Sequence, residues 1–142
     1  MISPKRAHLY WAQAPYLPER PLDIIRRMGS GEVQAVVTFK ARPVLVVQNH
    51  QDNVNPAQRF VLVAGVHSIK PEEMVKLRRV NYPTDLLLLP GETGLQRPSV
   101  VFLNQLLALD KNLVYKHIGS LSAEQLVELN VKLTIALGLL DR

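Results

Sequence analysis

The chain has no cysteine. Structural disulfides, thiolate-bound zinc and thiol nucleophiles are therefore excluded at the outset. Uninterrupted apolar runs such as Leu86–Leu89 stop far short of the roughly 18–20 residues a membrane-spanning helix needs. Glycine is scarce, at 7 residues, and no phosphate-cradling loop can be assembled from it. Gly29-Ser30-Gly31 lacks the following Lys-Ser/Thr and precedes a strand-like run rather than a helix-like one. No Gly-x-Ser-x-Gly element is present, so Ser68 and Ser99 have no local partner to activate them. The histidines at 8, 50, 67 and 117 are dispersed without ligand spacing, and no metal or other cofactor is expected. Met1–Arg6 carries no apolar leader core. The expectation is a cytoplasmic protein without membrane association.

What is present is ordinary for a globular chain: 142 residues, 47% hydrophobic and 20% charged. That size suits one hydrophobic core, so residues 1–142 are expected to form a single domain. Lysine and arginine number 17 against 12 acidic residues, a net +5, which favours an anionic partner and nucleic acid first. Between Arg20 and Arg42 five basic residues face only Asp23 and Glu32, and a second basic cluster runs from Lys70 to Arg79.

The pattern along the chain predicts many short strands and one long helix. His8–Ala14 reads as a strand stopped by Pro15, and the prolines to Pro21 forbid a regular element. Pro21 then suits the first position of a short helix through Met28, closed by Gly29 and Gly31. Glu32–Phe39, Pro43–Gln48, Phe60–His67, Asp85–Leu89 and Ser99–Leu103 read as strands, and Leu106–Leu109 with Leu113–Ile118 as a last pair. Asn49–Pro56 reads as a polar turn, and Pro71–Arg79 as a helix with acids at its start and bases at its end. Ser122 and Gln125 form a capping box for a C-terminal helix reaching about Leu140, with Leu121 and Leu126 as its hydrophobic staple. Leu126, Leu129, Leu133, Leu137 and Leu140 make its apolar stripe, widened by Val127, Val131 and Ile135. A second copy of the chain or deep burial would cover so wide an arc. The expected architecture is α+β: a small curled antiparallel β-barrel with a C-terminal helix and short helices in long loops.

Two segments carry a resemblance. Ala41-Arg42-Pro43-Val44-Leu45-Val46-Val47-Gln48-Asn49 is similar to the Arg-Pro-strand-Asn segment of the MazF/PemK toxins. Arg97-Pro98-Ser99-Val100-Val101-Phe102-Leu103-Asn104-Gln105, followed by Leu109-Asp110-Lys111 and His117-Ile118-Gly119, resembles the family's Ser-Val-strand and the approach to its last helix. Lys5-Arg6 before Leu9-Tyr10-Trp11-Ala12, and Tyr82-Pro83-Thr84-Asp85, fit further family segments in the right order. The resemblance implies an SH3-like barrel, usually a homodimer, acting as the toxin of a toxin–antitoxin pair. It implies metal-free cleavage of single-stranded RNA, mRNA included, by attack of the RNA's own 2′-hydroxyl on the adjacent phosphate. It also implies a cognate antitoxin protein as partner.

By the same resemblance, Arg42 falls on the family's catalytic arginine, and the threonine that ends the next strand is replaced by His67, with Ser68 one step on. Arg42, His67 and Ser68 are thus the catalytic candidates; Arg20, Arg26, Arg27, Lys40 and Gln105 are the RNA-binding ones. The departures fall on the RNA face: Ala7-His8 for Gly-Asp, Val37-Thr38 for Glu-Gln, and Gln105-Leu106-Leu107-Ala108 for Gln-Ile-Arg-Thr. Two readings remain open here: a nuclease with histidine in place of threonine, and a binding module on the same fold without nuclease activity.

Overall fold

The computed structural model describes residues 2–16, 24–73, 76, 82–91 and 93–140. Among the described residues there are eight strands: β1 (His8–Tyr16), β2 (Ile24–Arg27), β3 (Val33–Ala35), β4 (Thr38–Val46), β5 (Phe60–Ser68), β6 (Asp85–Leu88), β7 (Ser99–Asp110) and β8 (Val114–Ser120). Six of them form one antiparallel sheet in the order β6-β7-β5-β4-β1-β8, and β2 with β3 makes a separate hairpin. This bent antiparallel sheet with a helix near its C-terminus is of the expected α+β class.

Alternation along the strands puts apolar side chains on both faces of the sheet. One cluster joins Leu9, Leu45, Leu86, Leu88, Val101 and Leu103 to Leu129 and Leu133 of the C-terminal helix. The other gathers Tyr10, Ala12, Val44, Val46, Val61, Val63, Leu109 and Val114. The helix covers Ala123–Ala136, shorter than its apolar pattern implies. Its start is the expected one: Ser122 Oγ accepts from the Gln125 amide at 3.2 Å, and Gln125 Oε1 accepts from the Ser122 amide at 2.8 Å. Its end is set by Gly138 at φ +72°. There the Leu139 amide donates to Thr134 and the Gly138 amide to Ile135, so the last carbonyls are satisfied and the chain leaves the helix axis. Val127 and Val131 lie on the exposed face, so the arc is only half covered by the barrel.

Several expectations change. Pro15 does not stop β1, which runs on to Tyr16 by pairing Pro15 with Phe39 and Tyr16 with Thr38. The expected helix from Pro21 to Met28 is a strand where described: Ile24–Arg27 pairs with Val33–Ala35, and Met28 and Glu32 close the turn. Adjacent β-branched isoleucines and a glycine at φ +87° (Gly31) favour a hairpin over a helix there. Glu32–Phe39 is divided between β3 and β4, and Pro43 lies inside β4, at the point where pairing to β5 has not yet begun. The two strands expected at 99–103 and 106–109 are one, bent opposite Gly65 where the register shifts. Asn49–Pro56 contains a short helix, His50–Val54, because Asn49 caps it by accepting from the Asp52 amide. Residues 71–73 and 76 of the expected Pro71–Arg79 helix are helical; the others lie outside the described residues.

Ala7 adopts φ +66°. This is the left-handed region that glycine fills without strain, which explains why the resemblance places a glycine at this position. Arg6 beside it holds the two ends of the chain together: Nε donates to the Val47 carbonyl at 3.1 Å and Nη2 to Asn130 Oδ1 at 2.7 Å.

Candidate active site

β4 carries Arg42 to the rim of the sheet, and β5, its neighbour beyond Val44, ends in His67-Ser68. These three residues line one cleft of about 580 Å³ with Trp11, Pro43 and Ile118. Another part of the wall is the segment Gly94-Leu95-Gln96-Arg97, seated by Leu95 in the core. A Cβ on Gly94 would collide with the Ile118 carbonyl, and one on Gly119 with the Thr93 carbonyl. This wall therefore lies against β8 without room for side chains at either contact.

The lining carries two guanidiniums, an imidazole, two serine hydroxyls, one carboxamide and an indole, and no carboxylate among its described residues. Such a lining suits a polyanion. His67 is half-buried, and burial holds its imidazole below the ordinary 6.5, with the Arg42 charge adding to the effect. At neutral pH it is therefore an acceptor of protons rather than a cation. Its ring lies over Gly65, where a Cβ would stand 3.4 Å from Nε2, and meets the Phe102 ring at 5.1 Å between centroids, tilted by 43°. Phe102 stands diagonal to His67 across the β5–β7 ladder, His67 being paired with Val100. The imidazole thus has a definite place.

The other candidates lie apart from this cleft. Arg26 and Arg27 are exposed on the β2–β3 hairpin, Lys40 is exposed on β4 two residues before Arg42, and Gln105 is exposed on β7; none lines the cleft. Arg20 lies outside the described residues. Trp11, Phe102 and the 94–97 wall are the parts that sequence reading passed over. The signal available for the wall was Arg97-Pro98-Ser99, directly ahead of a family-like strand.

Dispersal along the sequence also misjudged two histidines. Pairing of β1 with β8 brings His8 Nδ1 within 2.9 Å of His117 Nε2, beside the Tyr10 ring. Among the described residues no group of three or more histidine, aspartate or glutamate side chains is placed to hold a metal. Nor is any helix among them long and apolar enough to cross a membrane.

Residues 30–137 match the model of the PemK-like, MazF-like toxins of type II toxin–antitoxin systems. The chain belongs to this family. It is 30% identical over 98 residues to the endoribonuclease MazF of Staphylococcus saprophyticus, covering 69% of this chain and 74% of that protein. Among solved structures it resembles the Mycobacterium tuberculosis toxin MazF-mt6, with a TM-score of 0.60 at 21% identity over 95% of this chain and 99% of that one. It also resembles a MazE–MazF crystal structure from Deinococcus radiodurans, with a TM-score of 0.60 at 21% identity over 96% and 98% of the two chains. As a toxin of a type II system, the chain has an antitoxin as its counterpart.

Proposed function

We propose that this toxin is an endoribonuclease that cuts single-stranded RNA, mRNA included, in the cleft between Arg42 and the 94–97 wall. The observation that carries this reading is the meeting of Arg42 and a neutral, half-buried His67 in one cleft with no described carboxylate in its lining. In the proposed reaction His67 accepts the proton of a ribose 2′-hydroxyl. That oxygen bonds to the adjacent phosphorus, and the bond from phosphorus to the 5′-oxygen of the next nucleotide breaks. The departing oxygen takes its proton from water, which reaches the site past the exposed Ser68 and Gln96. The products are a 2′,3′-cyclic phosphate and a 5′-hydroxyl. Arg42 supports the step by holding charge that accumulates on the phosphorane oxygens, for which its fixed guanidinium fork is suited. Ser68, at the rim, is a hydrogen-bond partner for the same phosphate.

Trp11 offers an aromatic face to an unstacked base. The exposed Arg26, Arg27 and Lys40 extend the basic track along the β2–β3 hairpin and β4, and Gln105 is available to a longer RNA on the neighbouring strand. Residues 1–142 act as one domain in the cytoplasm. A second copy covers the exposed Val127, Val131 and Leu137 of the helix and its end, and the antitoxin neutralises the assembly.

The test is cleavage of an RNA oligonucleotide with analysis of the new ends. Cyclic phosphate and 5′-hydroxyl termini are expected from the wild type and not from an oligonucleotide with 2′-deoxyribose throughout. A protein that binds the RNA in a salt-sensitive way and never cuts it would instead be the binding module.

A further inference from the structure

We propose that Arg97 is a second phosphate-holding residue of the cleft, gripping the RNA backbone from the 94–97 segment of its wall. This deepens the nuclease reading and rests on it. The assignment comes from the state of the side chain and the way its backbone is held.

Among the described residues the Arg97 guanidinium makes no hydrogen bond and no ion pair, although it lines a cleft with Arg42 and His67. Its main chain, by contrast, is tied on both sides. The Arg97 carbonyl accepts from Ser99 Oγ at 3.0 Å, and the next carbonyl, of Pro98, accepts from the Ile69 amide at 2.9 Å, just past His67-Ser68 on β5. The Gly91 amide closes the loop onto the Leu95 carbonyl at 3.0 Å, while Leu95 anchors it in the core. The close approach of Gly94 to Ile118 fixes the same loop from the other side. A cation carried on so constrained a backbone, exposed and with no described carboxylate beside it in the cleft, is placed for an anion from outside.

The spacing of function follows. Attack by a 2′-hydroxyl needs the scissile phosphate held between the base and Arg42, and a flexible single strand gains little from one contact. A second contact from the 94–97 segment, to a phosphodiester oxygen of the scissile group or its neighbour, stops the strand from turning away from His67. Arg97 thus positions the substrate and takes no proton in the reaction.

The experiment measures binding of an RNA oligonucleotide made uncleavable by 2′-deoxyribose at the attacking nucleotide, across a salt series, with cleavage of the all-ribose strand in parallel. Arg97→Ala should weaken binding about tenfold, the scale of one charge-assisted hydrogen bond. It should also flatten the slope of log affinity against log salt by about 0.7, the value for one phosphate contact on a single strand. KM should rise in step with Kd. Arg97→Lys should keep the salt slope and regain part of the affinity, and Arg97→Gln should behave as Arg97→Ala. Arg59→Ala, which removes a cation outside this cleft, should leave both binding and cleavage as in the wild type. A wild type that neither binds nor cuts RNA would overturn the nuclease reading itself. A wild type that does both, with unchanged affinity and salt slope in folded Arg97→Ala and Arg97→Gln, would overturn the role of Arg97 alone.

Discussion

Two grooves on this barrel contain the same kinds of side chain in different company. In the groove of about 500 Å³ beside the short helix, Arg59 Nε donates to Asp110 Oδ2 at 2.6 Å. In the same groove Lys111, only 7% exposed, donates through Nζ to the carbonyls of Asp52 and Asn55 at 2.8 and 3.1 Å. Asp110 also accepts from the Asn112 amide, and this bond, ahead of the Arg59 contact, holds its carboxyl below the usual range. Arg59 meets a carboxylate there and Lys111 two carbonyls, and the result is a clasp between the β5 entrance, the short helix and the β7–β8 turn. In the cleft of Arg42, His67 and Arg97 no described carboxylate lines the walls. The two grooves thus differ in whether a described carboxylate stands among their basic side chains.

The sharpest way to break this contrast is Arg42→Ala. Loss of a donor that meets developing charge costs about 3–4 kcal/mol, roughly a hundredfold or more in the cleavage rate. Single-turnover cleavage should show that loss while the melting transition stays in place, and Arg42→Lys should recover only part of it. If the melting transition disappears, Arg42 belongs with Lys111 as a structural cation and the contrast fails.

His67→Ala should slow cleavage on the order of a hundredfold, as expected for a general base. Its pH profile is the finer test. Burial and Arg42 disfavour the imidazolium, so the wild-type rate should climb as pH rises through a value below the ordinary 6.5 and then level off. The variant should lack that limb. The linked effect on stability has the matching sign. The unfolded chain binds the proton first as pH falls, so what neutral His67 contributes is complete above about 6.5 and is lost below it.

Lys111→Met tests the other side of the comparison. Two carbonyls lose a charged, part-buried donor, which should cost about 2–3 kcal/mol of stability. Thermal unfolding should record a drop of several degrees, with cleavage per folded molecule unchanged. Smallest of all, Arg59→Ala removes an exposed ion pair and should move the melting midpoint by no more than about a degree or two. A large loss of cleavage in either variant would mean that RNA uses both grooves.

Much of this architecture was legible in the residues. Arg42-Pro43 ahead of Val44-Leu45-Val46-Val47, the Ser99–Leu103 run and the Ser122/Gln125 box are local signals, and each element they mark is present. The errors fall where a partner strand overrides local preference. Pro15 lacks an amide and ordinarily ends a strand, yet β4 continues alongside it and extends the ribbon. Ile24–Arg27 suited a helix start after Pro21 until β3 offered pairing. Composition of the last helix gave its apolar arc, while Gly138 and the barrel surface decided its length and which half stays exposed.

The catalytic candidates divide in the same way. Arg42, His67 and Ser68 were found because the order of residues along β4 and β5 is a one-dimensional property that the family shares. That they share one cleft follows from β4 lying beside β5, and Arg97 joins them because Leu95, Gly94 and the Ile69–Pro98 bond fold the 94–97 wall back over the strand ends. The sequence by itself determined which side chains can carry charge, accept a proton or fill the core, since these are properties of single residues and their near neighbours. Only the tertiary structure decided which cations lie beside a carboxylate and which line a cleft with no described one. Pairing between residues as distant as Arg59 and Asp110, or His8 and His117, depends on strand register, and register is settled by the packing of the whole sheet.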